Sequence, residues 1–598
     1  MRKRFSMKNF FLNVLATVVG IMVFLLVIGI FGVMSIVGMV ASSDATTNVK
    51  DNSVLVLNMN GIMEERTEND LMATLSGVVG TSISLEDVLH AVKKAKNNDR
   101  IKGIYIEMGM FSSNSPASTQ ELRDALADFK KSGKWIVAYG DQYTQSSYYL
   151  ASVADKIWLN PYGMIDWHGL AAQPYYLKDL MEKYGVKMQL AKVGTYKSAP
   201  ETFTSDHMSD PNREQITAYI TGIWDTMLSD VATARKVSKE SLNALADGMV
   251  MLDDPQNYIQ QKLVDKLLYS DEVKGEVKKL LQLDEKDEIS QISVEQMQNV
   301  KENNKGEEIA VYYAYGDIVD QKTENILGPT EHQIVGKDVS KDLEELANDD
   351  NVKAVVLRVN SGGGSAYASE QIWHAMMKLK AKKPVVVSMG GMAASGGYYI
   401  SCPANWIVAE PTTLTGSIGI FGMFPDFSGL LTQKLGVKFD EVKTNKNAGF
   451  GTMARPFNEE EMSYLNTYIE RGYQLFRKRV ADGRKQSVDA IEKIAQGHVW
   501  LGKDALGIKL VDQLGSIDDA VKKAAQLAKV EEYHTASYPG KGDIFQDLLE
   551  STSTASGNYL DAKMRTTLGE YYEPFMLLKS LNKQNAIQAR IPFYMNIR

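Results

Sequence analysis

The pattern of apolar and polar positions divides the chain into an apolar N-terminal run and a longer region of short strands and amphipathic helices. In the longer region, β-branched runs at 101–108 and 352–359 are each followed by a loop, a helical stretch and a further strand. The periodicity predicts those helical stretches over 120–131 and 370–379. Strands that alternate with helices are typical of βαβ units around a mostly parallel sheet. The pattern therefore predicts an α/β fold.

The N-terminal run follows a basic start and carries no charged residue between Lys8 and Asp44. About 20 apolar residues are enough for a helix to cross the bilayer core. We therefore expect residues 1–45 to hold a cytoplasmic N-terminus and an uncleaved transmembrane helix. A cleaved signal peptide is the alternative, since the small side chains at 40–43 fit a cleavage site. The positive-inside rule places the rest of the chain on the far side, which in a bacterium is the periplasm.

The region after the apolar run contains an internal repeat. The pair Tyr148-Tyr149 recurs as Tyr398-Tyr399, and the strand that ends at Pro161 recurs in a strand that ends at Pro411. A repeat of this kind indicates two structural units of the same design. The predicted units are a first copy at 46–307, a second copy at 308–540 and a C-terminal tail at 541–598, to which we assign no chemistry.

Charge and cysteine content exclude some classes of function. The chain has 66 basic and 74 acidic residues, a net charge of -8, which gives no sign of the basic surface that nucleic acids require. The single cysteine, Cys402, excludes an intrachain disulfide and a zinc site built from cysteines. Its apolar neighbours predict a buried core residue. We predict no nucleic-acid partner, no metal and no cofactor.

Glycine-rich segments distinguish the second copy from the first. The second copy has N-S-G-G-G-S from Asn360 and M-A-A-S-G-G-Y-Y from Met392, whereas the first copy lacks both. Alignment of the Tyr-Tyr pairs places Gln145 of the first copy opposite Ser395 of the second. The second copy therefore carries a serine among small residues that the first does not.

Ser395 is a candidate nucleophile. We expect a strand to end near 390–391 and a helix to begin near Ala394, so that the serine lies at a tight turn. Free N–H groups at a helix N-terminus favour developing negative charge. Gly396 and the glycine loop at 362–364 are candidate donors to an oxyanion. From the residues alone, the alternative that both glycine clusters are ordinary tight turns stays open.

A serine nucleophile needs a general base. No histidine lies between Ser395 and His498. His374 is predicted to be a surface or boundary residue on the helix after the glycine loop. A lysine serves only if desolvation lowers its pKa from about 10.4. Lys197, in the small-residue segment G-T-Y-K-S-A-P-E, is the candidate. Its rivals are Lys192, Lys443 and Lys446.

Taken together, these motifs resemble the signal peptide peptidase A family in its long, duplicated, membrane-anchored form, a relative of the Clp protease and crotonase folds. The resemblance covers nearly the whole chain. The family's A-S-G-G-Y matches 394–398, its G-x-Y-K-S-A matches 194–199, and its T-G-S-I-G begins at Thr415. Its glycine loop usually reads N-S-P-G-G, and here Gly362 replaces the proline.

The resemblance implies two tandem Clp protease/crotonase-like domains and a Ser-Lys catalytic dyad. Ser395 would be the nucleophile, Lys197 the general base and Ser417 the residue that orients the lysine. Gly363 and Gly396 would hold the oxyanion. The implied protein is a serine endopeptidase that hydrolyses remnant signal peptides. It would be a homotetramer, anchored by a single pass in the bacterial inner membrane with its catalytic domains in the periplasm.

Two other classes of protein remain as alternatives. A crotonase-type acyl-CoA enzyme would share the fold and the oxyanion site but would need neither a serine at position 395 nor an export anchor. A non-catalytic membrane scaffold with a vestigial site is the other alternative. Retention of both motifs in the second copy argues against it.

Overall fold

The computed structural model describes residues 15–24, 27, 46–67, 82–302, 304–322, 332–540 and 587–590. Most of the predicted anchor, residues 1–45, lies outside this set, and the transmembrane helix stays a prediction. Among the residues that are described, no helix has both the length and the apolar character needed to cross a bilayer.

The part of the chain up to residue 302 forms short strands separated by helices. Its strands are β1 (Ser53–Glu64), β2 (Ser82–Ser84), β3 (Ile101–Ser113), β4 (Trp135–Gly140), β5 (Lys156–Leu159), β6 (Lys187–Val193), β7 (Lys266–Leu267) and β8 (Gln291–Ile292). Its helices are α1 (Leu85–Lys96), α2 (Pro116–Lys130), α3 (Gln145–Ala151), α4 (Lys178–Lys183), α5 (Glu201–Thr204), α6 (Asp210–Arg235), α7 (Lys239–Asp247), α8 (Pro255–Gln260), α9 (Ser270–Leu281) and α10 (Val294–Gln298), with a 3-10 turn at Val250–Leu252.

The part of the chain after residue 306 repeats this organisation. Its strands are β9 (Glu307–Tyr315), β10 (Asp317–Val319), β11 (Gln333–Val335), β12 (Val352–Ser361), β13 (Gly363–Ser365), β14 (Val385–Ala394), β15 (Trp406–Ala409), β16 (Leu414–Gly416), β17 (Ile420–Asp426), β18 (Val499–Leu501), β19 (Gln513–Leu514), β20 (Tyr533–Tyr538) and β21 (Ile587–Arg590). Its helices are α11 (Gly336–Asn348), α12 (Ala366–Lys380), α13 (Gly396–Ser401), α14 (Glu459–Arg484), α15 (Val488–Ile494), α16 (Gly502–Gly507) and α17 (Ile517–Ala528), with a π-helical turn at Leu430–Lys434.

Serine caps explain why two helices begin earlier than predicted. The helix predicted from 120 is α2, and the one predicted from 370 is α12. Ser115 accepts from the Ser118 N–H at 3.0 Å, and Ser365 accepts from the Ala368 N–H at 3.1 Å. Each hydroxyl satisfies an N–H that has no partner within its helix, which fixes where the helix starts.

Each copy is built around its own sheet. Within the described ranges, the first sheet has the strand order β2-β1-β3-β4-β5-β7, with β8 beside β1, and all of its pairs are parallel. The second sheet has the order β18-β16-β14-β12-β9-β20, with β15 beside β14 and β19 beside β15. Only its β16–β18 pair is antiparallel. The tandem, mostly parallel α/β organisation predicted from the sequence is confirmed.

Burial on both faces explains why the central strands are almost uniformly apolar. In β12, Val355, Leu357 and Val359 lie in one hydrophobic core, while Ala354 and Val356 lie in the core on the opposite face. Successive side chains of a strand point to opposite faces, and helices cover both faces of a parallel sheet. Polar residues at the ends of such strands are therefore available for chemistry.

A third sheet connects the two copies. Its order is β11-β10-β13-β21-β17-β6. Strand β6 of the first copy pairs antiparallel with β17 of the second, from Lys187 opposite Asp426 to Val193 opposite Ile420. The chain leaves β6 towards Lys197, so this pairing brings the lysine segment to the second copy.

Equivalent tyrosines make the same contact in the two copies. The Tyr148 hydroxyl donates to the Leu263 carbonyl at 3.0 Å, and the Tyr398 hydroxyl donates to the Leu510 carbonyl at 2.9 Å. This equivalence supports the alignment of the two copies at the Tyr-Tyr pairs. The exact boundaries at 45/46, 307/308 and 540/541 stay predictions.

A buried ion cluster joins the copies beside the glycine loop. Arg358 on β12 contacts Glu65 and Glu121 of the first copy, each at 2.6 Å, and all three side chains are at most 3% exposed. Asn360 donates to Glu65 at 2.9 Å and accepts from the Met392 N–H at 3.1 Å. Because a buried charge is costly without its partner, the cluster fixes the position of one copy against the other.

Candidate active site

Ser395 lies at the turn between β14 and α13. The strand runs to Ala394 and the helix begins at Gly396. The helix therefore starts near Ala394 as predicted, whereas the prediction of a strand end near 390–391 is wrong. The strand is longer because its last residues pair with β16, with Ala394 opposite Gly416. Strand and helix therefore meet at the serine itself.

The backbone of Ser395 adopts an unusual conformation. Its φ is 56° and its ψ is -113°, in a region that side chains with a Cβ rarely adopt. Its N–H donates to the Gly416 carbonyl at 2.8 Å, and its carbonyl accepts from the Tyr399 N–H at 2.8 Å. Strained residues persist where the surroundings fix them, and they cluster at functional sites. The turn holds the Ser395 hydroxyl in one direction, towards the first copy.

Lys197 reaches Ser395 from the first copy. Its Nζ lies 2.6 Å from the Ser395 Oγ, 3.0 Å from the Ser417 Oγ and 3.1 Å from the Ser417 carbonyl oxygen. Both Lys197 and Ser395 are 0% exposed, and Ser417 is 1% exposed. Residues that are 198 positions apart in sequence thus form one buried cluster between the two copies.

Burial lowers the pKa of Lys197 well below its ordinary value of 10.5, because a charged amine loses its hydration there. The three contacts of Nζ fit a neutral amine. In the neutral form, two N–H groups donate to the two Ser417 oxygens, which leaves the lone pair to accept the Ser395 hydroxyl proton across the 2.6 Å contact. A neutral lysine in this position has the geometry of a general base.

Close packing of glycines encloses the lysine. Gly497 has a φ of +78°, and a Cβ at that position would lie 2.6 Å from the Lys197 backbone nitrogen. A Cβ on Gly419 would lie 3.1 Å from the Lys197 Cδ. Gly419 belongs to the T-G-S-I-G motif, in which the sequence analysis assigned a role only to Ser417. Gly497 was missed, because nothing in its local sequence indicates that it packs on the lysine.

Gln215 on α6 was also missed, and it holds the lysine turn in place. Its amide nitrogen donates to the Tyr196 carbonyl at 3.1 Å and to the Ser198 Oγ at 3.0 Å, on either side of Lys197. Its amide oxygen accepts from the Val499 N–H of the second copy at 3.1 Å. A single buried glutamine in a long helix carries no sequence signal of such a role.

The two predicted oxyanion donors lie side by side. A Cβ on Gly363 would lie 2.7 Å from the Gly396 nitrogen and 2.1 Å from the Ala589 carbonyl oxygen. A Cβ on Gly396 would lie 3.1 Å from that same oxygen. The Gly363 N–H donates to the Ser361 Oγ at 3.1 Å, so it must exchange that acceptor to bind an oxyanion. The oxyanion role of both glycines stays a prediction.

The other candidate bases lie elsewhere. The Lys192 Nζ donates to the Lys197 carbonyl at 3.3 Å. Lys443 and Lys446 pair with Glu441 and Glu460 at 2.7 and 2.6 Å. His374 is exposed, and Cys402 is buried, as expected of a core residue. Of the candidates named from the sequence, Lys197 is the one that the fold brings to Ser395.

The fold and the buried serine match a known class of hydrolase. The model of the family described as Peptidase family S49 matches residues 128–284 and 377–531, one segment in each copy. The model described as Clp protease matches residues 304–406, which include the glycine loop and Ser395. Together they confirm the tandem Clp protease/crotonase-like arrangement, and they define the protein as a serine peptidase.

Relatives match over most of the chain. Protease 4 of Salmonella typhi is 36% identical over 583 residues, covering 95% of this chain and 91% of the relative. Protease 4 of Haemophilus influenzae is 36% identical and covers 82% of each chain. The chloroplastic serine protease SPPA of Arabidopsis thaliana is 29% identical over 81% of this chain and 70% of the relative. The chain belongs to peptidase family S49, in the signal peptide peptidase A family.

Proposed function

We propose that the protein hydrolyses peptide bonds with a catalytic dyad of Ser395 and Lys197, each supplied by a different copy. One observation carries this proposal: the Lys197 Nζ lies 2.6 Å from the Ser395 Oγ, and both side chains are fully buried. A nucleophile and its base must lie within hydrogen-bond reach of each other. Neither copy alone contains both groups.

The reaction proceeds by acyl transfer. Neutral Lys197 takes the Ser395 hydroxyl proton while the Oγ attacks the carbonyl carbon of the scissile bond. The protonated lysine then gives that proton to the leaving amine, the C–N bond breaks, and an ester remains on Ser395. Water, deprotonated by the same lysine, hydrolyses the ester and releases the second product as a carboxylate. Ser417 keeps the amine directed at the serine throughout.

The tetrahedral intermediate needs donors for its negative oxygen. The N–H groups of Gly363 and Gly396 are assigned this role, because the two residues flank one position beside Ser395. Loss of one such donor typically lowers kcat by about 100- to 1000-fold. The Gly363 N–H donates to the Ser361 hydroxyl in this structure. It gives up that hydrogen bond and donates to the oxyanion when the tetrahedral intermediate forms.

Remnant signal peptides are the proposed substrates, bound in an extended conformation. Extended peptides add to strand edges and use their main chain for affinity, and the position between β13 and β17, which β21 fills in this structure, lies beside the dyad. We further propose a homotetramer, held in the inner membrane by residues 1–45 with both copies in the periplasm. The family resemblance and the apolar run at the N-terminus support these assignments.

A serine-directed fluorophosphonate and a fluorogenic peptide test the dyad together. We expect the reagent to label Ser395, located by peptide mapping, and Lys197→Ala to reduce both labelling and turnover to a small residual level. Lys446→Ala is the matched control, because this lysine is exposed and paired with Glu460, and it is expected to behave as wild type. Labelling at another serine, or full turnover by Lys197→Ala, contradicts the proposal.

The substrate class needs a separate comparison. A synthetic signal peptide and a polar peptide of equal length, each offered at the same concentration to the wild-type protein, are expected to differ in kcat/KM by at least tenfold in favour of the signal peptide. Equal values would contradict the assignment of signal peptides while leaving the dyad intact.

A further inference from the structure

A short segment of the second copy, residues 496–498, lies between the turn that holds Lys197 and the T-G-S-I-G motif. Its first carbonyl accepts from the Tyr196 N–H at 2.9 Å, on the side of the first copy. Its last carbonyl, that of His498, accepts from the Ser417 N–H at 2.7 Å, on the side of the second copy. Because buried backbone groups need their partners, the position of this segment sets how the lysine turn lies against Ser417.

The side chain of His498 lies between two aromatic rings. Its ring centroid is 4.4 Å from that of Tyr196 in the lysine turn, with the ring planes tilted by 58°. On the other side it stacks on Trp500 of β18, with centroids 4.0 Å apart and planes 25° apart. Aromatic pairs at such distances attract each other beyond the area that they bury. The three rings therefore form a stack that runs from the first copy to the second.

Trp500 gives the stack a fixed end. It is opposite Thr415 in the pair of β16 with β18, and its Nε1 donates to the Ile494 carbonyl at 3.0 Å. A Cβ on Gly416 would lie 2.8 Å from the Trp500 Cδ1. The indole is thus packed against the strand that leads directly into Ser417, and His498 rests on a surface that belongs to the same motif.

Aromatic contacts place the His498 ring. Its Nδ1 is buried and has no hydrogen-bond partner among the residues that the structure describes. Burial lowers the pKa of the ring from its ordinary value of 6.5, so the imidazole is neutral at pH 7 and adds no charge beside the dyad. Glu214 on α6 accepts from the Tyr196 hydroxyl at 3.2 Å. Lys192 on β6 donates to the Lys197 carbonyl at 3.3 Å. These are the charged groups that face the stack from the first copy.

We propose that the His498 ring holds the lysine turn of the first copy against the Ser417 segment of the second, and so acts as a positioning residue for the dyad. This role rests on the proposed function of Ser395 and Lys197. The ring contacts Tyr196, which directly precedes Lys197 in the chain. A general base must stay within hydrogen-bond reach of the proton that it takes, and a small displacement of a catalytic group lowers the rate strongly.

The kinetics of His498→Ala at a series of pH values test the proposal. Without the ring the lysine turn is less firmly held, and we expect kcat for a fluorogenic peptide to fall about tenfold, the scale of the ring contacts that are lost. KM should stay within about twofold of wild type, because the loss concerns the dyad and not the peptide. Water that reaches the loosened turn raises the pKa of Lys197 back towards 10.5. The ascending limb of kcat/KM should therefore shift to higher pH.

Two further variants separate the ring contacts from other roles of the histidine. His498→Phe keeps an aromatic ring between Tyr196 and Trp500 and is expected to retain the kcat and the pH midpoint of wild type. Tyr196→Leu removes one of the same contacts from the side of the first copy and should shift the limb in the same direction. The double variant of Tyr196→Leu with His498→Ala should lose no more activity than His498→Ala alone, because the two residues act through one contact.

His534→Ala is the matched control. His534 is also a partly buried histidine of the second copy, with 26% of its side chain exposed. It pairs with Glu308 near the start of β9, whereas Ser395 follows the end of β14. Since it lies at the other end of the sheet, its loss should change neither kcat nor the pH midpoint.

The outcomes separate this role from the proposed function. Wild-type kcat and an unshifted limb in His498→Ala, in a protein whose wild type hydrolyses the peptide, overturn the role of His498 and leave the dyad in place. No hydrolysis by the wild-type protein overturns both. A loss in His498→Phe as large as in His498→Ala also overturns the role, because it would assign the effect to a ring nitrogen. If His498→Ala does not fold, an unshifted limb in Tyr196→Leu overturns the role and a limb at higher pH supports it.

Discussion

The corresponding turns of the two copies differ in what their side chains contact. In the second copy, the Ser395 Oγ lies 2.6 Å from the Lys197 Nζ. In the first copy, the Gln145 side chain binds the backbone at residues 168 and 169. Its amide oxygen accepts from the N–H groups of His168 and Gly169 at 3.1 and 2.9 Å, and its amide nitrogen donates to the Gly169 carbonyl at 3.0 Å.

This difference shows how a duplicated fold divides its tasks. The glutamine satisfies backbone groups at the turn, so the first copy gains stability there and offers no nucleophile. The Ser395 hydroxyl instead contacts Lys197, which the first copy contributes. A single active site therefore needs both copies.

The largest expected effect comes from exchanging the two side chains. In the double variant Ser395→Gln with Gln145→Ser, we expect turnover of a fluorogenic peptide to fall by at least about 10⁴-fold, the scale on which catalytic serines act. The serine would then lie at a turn that Lys197 does not contact. Circular dichroism would confirm that the variant folds, and residual activity above one hundredth of wild type would contradict the division of tasks.

The second effect concerns the ion cluster that joins the copies. Arg358 corresponds in the repeat to Glu107, which is exposed. Arg358→Met would leave Glu65 and Glu121 buried without their cation, which typically costs about 3–5 kcal/mol. Urea unfolding measures this loss, and Glu107→Met, the matched control, should change stability by no more than about 0.5 kcal/mol. A loss below 1 kcal/mol for Arg358→Met would show that the cluster does not hold the copies together.

A smaller effect is expected at Gln145. Its replacement by alanine leaves the His168 and Gly169 N–H groups without their acceptor, at a cost of about 1–3 kcal/mol. Thermal unfolding should show the loss, while kcat/KM of the folded protein stays within about twofold of wild type. A large fall in kcat/KM with unchanged stability would instead assign Gln145 a part in catalysis.

The smallest effect is expected at Ser417. Ser417→Ala removes one of the two oxygens that receive the lysine N–H groups and retains the carbonyl. A hydrogen bond of this kind contributes about 1 kcal/mol, so kcat should fall about fivefold with little change in KM. Ser401→Ala is the control, because Ser401 is a buried serine on the helix that follows Ser395 and its hydroxyl donates to the Gly397 carbonyl. An equal effect of both substitutions would argue against an orienting role.

Much of the fold was predictable because its signals are local. The apolar runs of β3, β12 and β14 follow from burial on both faces, and the repeat of these runs indicates the duplication. Small residues around Ser395 and Lys197 made both of them candidates, and the family resemblance selected Lys197 from the four candidate lysines. The distance between these two side chains was not predictable from any local pattern, since it depends on how β6 of one copy pairs with β17 of the other.

Other features depend on contacts that a single sequence does not display. The end of β14 was placed too early, because its last residues are held by β16 and not by their own propensity. Gly497 packs on the lysine segment from about 300 residues further along the chain. Gln215 hydrogen-bonds to the same segment from about 20 residues away. Strand β21 has only four residues, too few for a periodic pattern, and it lies in the tail to which no chemistry was assigned.

The pH dependence of kcat/KM tests the central claim, that a neutral Lys197 is the base for Ser395. The base works only when deprotonated, so activity is lost as the pH falls through the pKa of the lysine in the folded protein. Because burial lowers that pKa, we predict an ascending limb with its midpoint well below 10.5, absent from the residual activity of Lys197→Ala. A midpoint near 10.5, or an unchanged limb in Lys197→Ala, would contradict the account.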